Sequence, residues 1–144
     1  MRIIRIVVLT LTYSSFGFSQ AAHPPSAAFQ AMVKDAKSRI HEVSPAQLKE
    51  WLAAPAKTVL IDVREDSEWQ AGHAAAAIHV GRGVLERQIE SAVPDKSARV
   101  VLYCHTGARS ALAADTLQKM GYTSVFSLAG GLAAYQAAAL PMQK

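Results

Sequence analysis

The chain has one cysteine, Cys104, in 144 residues. That excludes an intramolecular disulfide, a Cys-x-x-Cys redox pair and a zinc site built from several thiolates. Its five histidines (His23, His41, His73, His79 and His105) include no i, i+4 pair of the kind that clasps a metal on a helix. A Gly-x-Ser-x-Gly elbow is missing, and Gly81-Arg82-Gly83 has Glu86 where a dinucleotide fingerprint needs its third glycine. No cluster of lysine and arginine is interleaved with aromatics, so no nucleic-acid partner is expected. Internal repeats and low-complexity tracts are also absent. The longest apolar run near the start, Ile6 to Leu11 or Ile3 to Leu11 if Arg5 is passed over, falls far short of the ~20 residues that span a bilayer.

That run has another use. Arg2 and Arg5 precede it, a more polar stretch from Thr12 to Gln20 follows, and Ser19-Gln20-Ala21 fits a small-x-small cleavage site. Residues 1–21 therefore read as a secretory signal peptide, with Ala22 as the preferred first mature residue and cleavage after Ala22 as the alternative. The expectation is a periplasmic protein with no stable membrane insertion after cleavage. Removing two arginines lowers the formal charge from +4 to +2. The roughly 120 remaining residues suit one domain.

Along that domain, hydrophobic periods alternate. Phe29, Met32, Val33, Ala36 and Ile40 recur at helical spacing, so residues 22–40 are expected to form a helical extension after His23-Pro24-Pro25. An extended piece around Ile40 to Val43 precedes Ser44-Pro45-Ala46-Gln47, a cap with proline at the first helical position. A helix is expected from there to about Leu52. Thr58 to Val63 and Arg99 to Tyr103 are short β-branched runs that suit buried strands, and Ala77 to Val80 and Ser124 to Leu128 are weaker ones. Helical spacing marks a turn at Glu68 to Gln70, a segment from Val84 to Ala92, one from the loop after Tyr103 to Gly121, and Leu132 to Leu140. Strands alternating with helices imply an α/β domain with a mainly parallel sheet flanked by helices. Asp62, an acid inside an apolar strand, needs a partner, whether it serves as a structural carboxylate or in a chemical role.

The chemistry concentrates at Cys104-His105-Thr106-Gly107-Ala108-Arg109-Ser110, between a strand and a helix. A cysteine there lies at the carboxyl end of a strand, near a helix N-terminus whose N–H groups favour negative charge. Such a setting lowers a thiol pKa to about 3.5–7.5. Gly107 permits a tight turn, and Arg109 offers a fork of donors suited to an oxyanion. The competing reading is a buried cysteine that only packs.

With these residues in place, the chain from about His41 to Pro141 resembles the rhodanese (thiosulfate sulfurtransferase) family. Four segments carry the resemblance: Leu60-Ile61-Asp62-Val63-Arg64-Glu65; Glu68-Trp69 with Gly72-His73; Cys104 to Ser110; and Gly121-Tyr122 with Leu128-Ala129-Gly130-Gly131. A leader on one such domain is similar to the small periplasmic members, the phage-shock type included, and residues 41–144 are expected to form the rhodanese domain. Two departures stand out. Ala74-Ala75-Ala76-Ala77 follows Gly72-His73 where the family usually has Ile-Pro-Gly-Ala, implying looser packing, and Tyr135 stands where tryptophan is common. The resemblance implies sulfur transfer from thiosulfate or a similar donor to cyanide or a thiol. Cys104 is then the persulfide carrier, His105 to Ser110 bind the substrate, Arg109 orients the loop or holds the oxyanion, and no cofactor or metal is required. Two alternatives remain, a non-catalytic binding module and a cysteine-dependent phosphatase or arsenate reductase. The latter resemble Cys-x₅-Arg, whereas Cys104 to Arg109 is Cys-x₄-Arg. The physiological partners and the oligomeric state are not specified by these residues.

Overall fold

The structure is a computed structural model that describes residues 24–144. The expected signal peptide at 1–21 lies outside the described residues. Among those described, no helix is long and apolar enough to cross a membrane.

Two strands organise the domain, β2 (Thr58–Asp62) and β5 (Arg99–Tyr103), paired in parallel from Thr58↔Arg99 to Asp62↔Tyr103. Around them lie β1 (His41–Val43), β4 (Ala77–His79) and β6 (Val125–Leu128), giving a five-stranded, all-parallel sheet of order β1-β6-β5-β2-β4. Side chains on a strand alternate between faces, and the apolar residues divide accordingly. Ile61, Val100 and Leu102 enter one core with Leu85 and Ile89 of α4 (Leu85–Ala92) and Leu117 of α5 (Ala108–Lys119). Leu60, Val101 and Tyr103 enter the other with Leu48 of α2 (Pro45–Ala53) and Leu132 and Tyr135 of α6 (Gly131–Ala137). The sheet is thus buried on both sides, as a parallel sheet requires. The Ser44 hydroxyl accepts from the Gln47 N–H and Pro45 opens α2, as its sequence demands.

Four local expectations change. α1 (Ala27–Lys37) stops short of Ile40, which is buried beyond the helix end, and Met32 faces solvent instead of the domain. α6 ends at Ala137 rather than near Leu140. Ala139 takes a left-handed φ of 52°, and Leu140 turns back to donate its N–H to the Tyr135 carbonyl and bury its side chain. The chain beyond it forms β7 (Met142–Gln143), antiparallel to β3 (His73–Ala74), a two-stranded sheet too short to leave a periodic trace. The alanine run after His73 is tied down: Ala74 is fully buried and donates its N–H to the Tyr103 hydroxyl, while Ala75 donates to the Pro141 carbonyl. Tyr135 fills the place of a larger aromatic, stacked 6.5 Å from Tyr103.

Candidate active site

β5 ends at Tyr103, and the next residue, Cys104, is only 1% exposed at the carboxyl edge of the sheet. The backbone then curls through His105 and Thr106, both exposed, into Gly107, which caps α5 with φ 98°. Only glycine takes this conformation without strain. A second close approach fixes the loop from behind. α6 begins at Gly131, and its first free N–H groups go to the loop: Leu132 donates to the Cys104 carbonyl at 2.8 Å and Ala133 to the His105 carbonyl at 3.1 Å. A Cβ on Gly131 would lie 2.5 Å from the Cys104 carbonyl oxygen and 2.7 Å from that of His105, so glycine at this position is a steric condition of the docking. With the loop's first carbonyls turned towards α6, N–H groups are left for the sulfur.

The sulfur collects them. The Gly107 N–H reaches Cys104 Sγ at 3.2 Å, and the Ser110 hydroxyl stands 3.7 Å from it. Ser110 is itself buried and held by the Ser127 hydroxyl at 2.9 Å. Burial pushes the Cys104 thiol up. The Ser110 and Gly107 amides, the Ser110 hydroxyl and the Thr106 amide outweigh that effect and hold it below the ordinary thiol value.

Arg109 does not stand free. Its guanidinium forms a two-point pair with Glu68 of α3 (Asp66–Ala71), Nη1 to Oε2 at 2.7 Å and Nη2 to Oε1 at 2.8 Å. Glu68 accordingly titrates at about 2, chiefly through its Arg109 hydrogen bonds. Glu68, with the Cys104 sulfur as a smaller contributor, keeps Arg109 charged. The partner that Asp62 needs is Arg64, whose Nε and Nη2 meet the carboxylate at 3.0 and 2.7 Å while its backbone N–H adds a third bond at 2.9 Å. Arg64 Nη2 also donates to the Gly72 carbonyl, fastening the turn after α3. Trp69, next to Glu68, stacks on His73 at 3.4 Å and His79 at 5.0 Å between ring centres, which steadies the helical turn carrying Glu68.

Of the loop residues named from sequence, Ala108 opens α5, and the Gly107 N–H and the Ser110 hydroxyl converge on the Cys104 sulfur. Glu68 and Ser127 are the functional neighbours that sequence reasoning missed as site residues. Among the described residues, no group of three His, Cys, Asp or Glu side chains gathers to hold a metal ion.

Residues 44–138 match the family model of the Rhodanese-like domain. The chain belongs to the rhodanese-like family. It is 42% identical over 72 residues to thiosulfate sulfurtransferase PspE of Escherichia coli, covering 50% of this chain and 68% of that protein. It is 33% identical over 93 residues to Probable adenylyltransferase/sulfurtransferase MoeZ of Mycobacterium tuberculosis, where the match covers 65% of this chain but 24% of that longer protein. Among solved structures it is similar to a Rhodopseudomonas palustris protein described as of unknown function and possible tyrosine phosphatase, with 29% identity, a TM-score of 0.74, and coverage of 84% of this chain and 99% of that one. The family and fold are those of a rhodanese-like sulfurtransferase.

Proposed function

We propose that the chain takes the outer sulfur of thiosulfate, or of a similar anionic donor, onto Cys104 and passes it to cyanide or a thiol. The observation that carries this reading is a buried sulfur facing converging N–H and O–H donors, with its thiol value lowered. In the first half-reaction the Cys104 thiolate attacks the outer sulfur of thiosulfate. The thiosulfate S–S bond breaks, and sulfite leaves with its electron pair. The donors that hold the thiolate remain to hold the negative persulfide, much as an oxyanion hole holds developing charge. Thr106, Gly107 and Ser110 supply the donors of that cradle, and we assign exposed His105 and Thr106 an influence on the choice of donor. Of the two roles open to Arg109, its pairing with Glu68 supports orientation of the loop. The likeness to a thiosulfate sulfurtransferase adds weight.

A phosphatase reading has the described R. palustris neighbour in its favour. Two observations oppose it. Cys104 to Arg109 is one residue shorter than Cys-x₅-Arg, which removes up to about 3.3–3.6 Å of chain reach. The arginine that phosphate needs is also occupied by Glu68. Sulfite release from thiosulfate and hydrolysis of an aryl phosphate, measured on one preparation, decide between them. The proposal expects the first with little of the second; the reverse, or neither activity in folded protein, overturns it. The expected export rests on residues 1–21 alone. Mass spectrometry of periplasmic protein should show an N-terminus at Ala22, and intact Met1 in a membrane fraction overturns that part.

A further inference from the structure

At the carboxyl end of β4, His79 lies in register with Asp62 and half-buried beside α3. Its Nε2 stands 2.9 Å from the Arg64 carbonyl oxygen. A carbonyl only accepts, so Nε2 carries the hydrogen of this bond. Among the described residues, His79 is the one donor that reaches that oxygen. Nδ1 faces the Asp66 carboxylate at 3.7 Å, and the ring stacks on Trp69 at 5.0 Å between centres. One imidazole therefore touches the residue before the α3 cap and the first and fourth residues of the helix.

The Arg64 carbonyl and the Glu65 N–H are the two ends of one peptide group. The N–H end donates to Glu68 Oε2 at 3.2 Å, one half of the capping box that opens α3. The same Oε2 receives Arg109 Nη1 at 2.7 Å. A continuous hydrogen-bonded chain thus runs from His79 through the 64–65 peptide group and Glu68 to Arg109, and the next residue is Ser110, whose hydroxyl faces the sulfur. Bonds joined in this way polarise one another, so donation to the carbonyl strengthens the N–H at the other end of the peptide as a donor. The Glu68 carboxyl, held low chiefly by Arg109, is held low by the Glu65 amide as well.

We propose that His79 is a positioning residue for sulfur transfer: it holds the 64–65 peptide group so that Glu68 keeps Arg109 in place beside the loop. The inference rests on Cys104 being the sulfur carrier. His79 itself touches no reacting atom. Without its donor the peptide group is free to turn, the Glu65 N–H leaves Glu68 Oε2, and the carboxylate that orients Arg109 loses one of its two anchors.

Sulfite release from thiosulfate is the readout. His79→Phe keeps a ring against Trp69 but loses the donor, whereas His79→Gln offers an amide N–H to the Arg64 carbonyl. kcat/KM should fall about tenfold in His79→Phe, equivalent to about 1.4 kcal/mol, and stay within about twofold of wild type in His79→Gln. In a Glu68→Ala background, His79→Phe should cost less than about twofold, because its path to Arg109 is already cut. His79→Ala removes the donor in a second way and takes the place of His79→Phe in both comparisons should that variant misfold by circular dichroism. Folded donor-less variants with wild-type kcat/KM, a Gln variant as impaired as the Phe one, losses that add in full on Glu68→Ala, or failure of both donor-less variants to fold each overturn the positioning role while the Cys104 reading stands. If the wild type releases no sulfite from thiosulfate, both fall together.

Discussion

Neighbouring strands β2 and β5 end side by side, at Asp62 and Tyr103, and each delivers a buried polar group to the same edge of the sheet. Their treatment is opposite. Asp62 is closed off by Arg64, which spends a backbone N–H and two guanidinium nitrogens on it. Cys104 has no cation locked onto it. It receives weaker, dispersed donors from its own loop, and the nearest arginine is held by Glu68 instead. A buried group with a complete partner is structural, because changing its charge breaks the pair. A buried group surrounded by partial donors can gain negative charge, or an additional sulfur, without disrupting its surroundings. The difference separates the scaffold from the site.

Replacing each group should break the comparison in a different way. Cys104→Ser should reduce sulfur transfer to background while leaving the circular dichroism spectrum and melting curve near wild type, because the change is nearly isosteric. Asp62→Ala should act on stability first. It leaves the Arg64 charge buried without its partner, at a cost of about 3–5 kcal/mol in chemical denaturation.

The Glu68–Arg109 pair tests the connection between the two regions by pH. The folded carboxyl titrates at about 2 against 4.5 for the free group. Its contribution to stability is therefore complete above pH 4.5 and is lost as the pH falls towards 2. Glu68→Gln should flatten the acid dependence of stability within that window and lower turnover by loosening the Arg109 side of the loop. An unchanged acid profile contradicts the pairing.

How far these residues were legible depends on their separation in the chain. The loop from Cys104 to Ser110 was, since strand, glycine turn and helix are consecutive and each leaves a local pattern. Asp62 announced a need for a partner, and a signal for Arg64 was present: residues two apart on extended backbone point to one face. Glu68 and Ser127 left no such signal. They meet Arg109 and Ser110 across 41 and 17 residues of chain, where only the folded topology sets the distance. The β3–β7 pair was hidden for another reason, because two-residue strands cannot express a period.

Smaller changes sharpen the account of the cradle. Ser110→Ala removes the hydroxyl near the sulfur, so the acid limb of the pH profile for sulfite release should move upwards from its position below the ordinary thiol value of 9.0. Ser127→Ala acts one step further out, leaving the Ser110 hydroxyl without its 2.9 Å partner. It should cost about 1 kcal/mol of stability and shift the same limb less.

The central claim, that the donor-lined sulfur of Cys104 is the carrier, is tested most directly by the intact mass of the protein after thiosulfate treatment and desalting. The account predicts the mass of one added sulfur atom, located on the Cys104 peptide, absent in Cys104→Ser and removed by cyanide. An unmodified wild-type mass in a preparation that still releases sulfite, or an added sulfur that survives in Cys104→Ser, would contradict it.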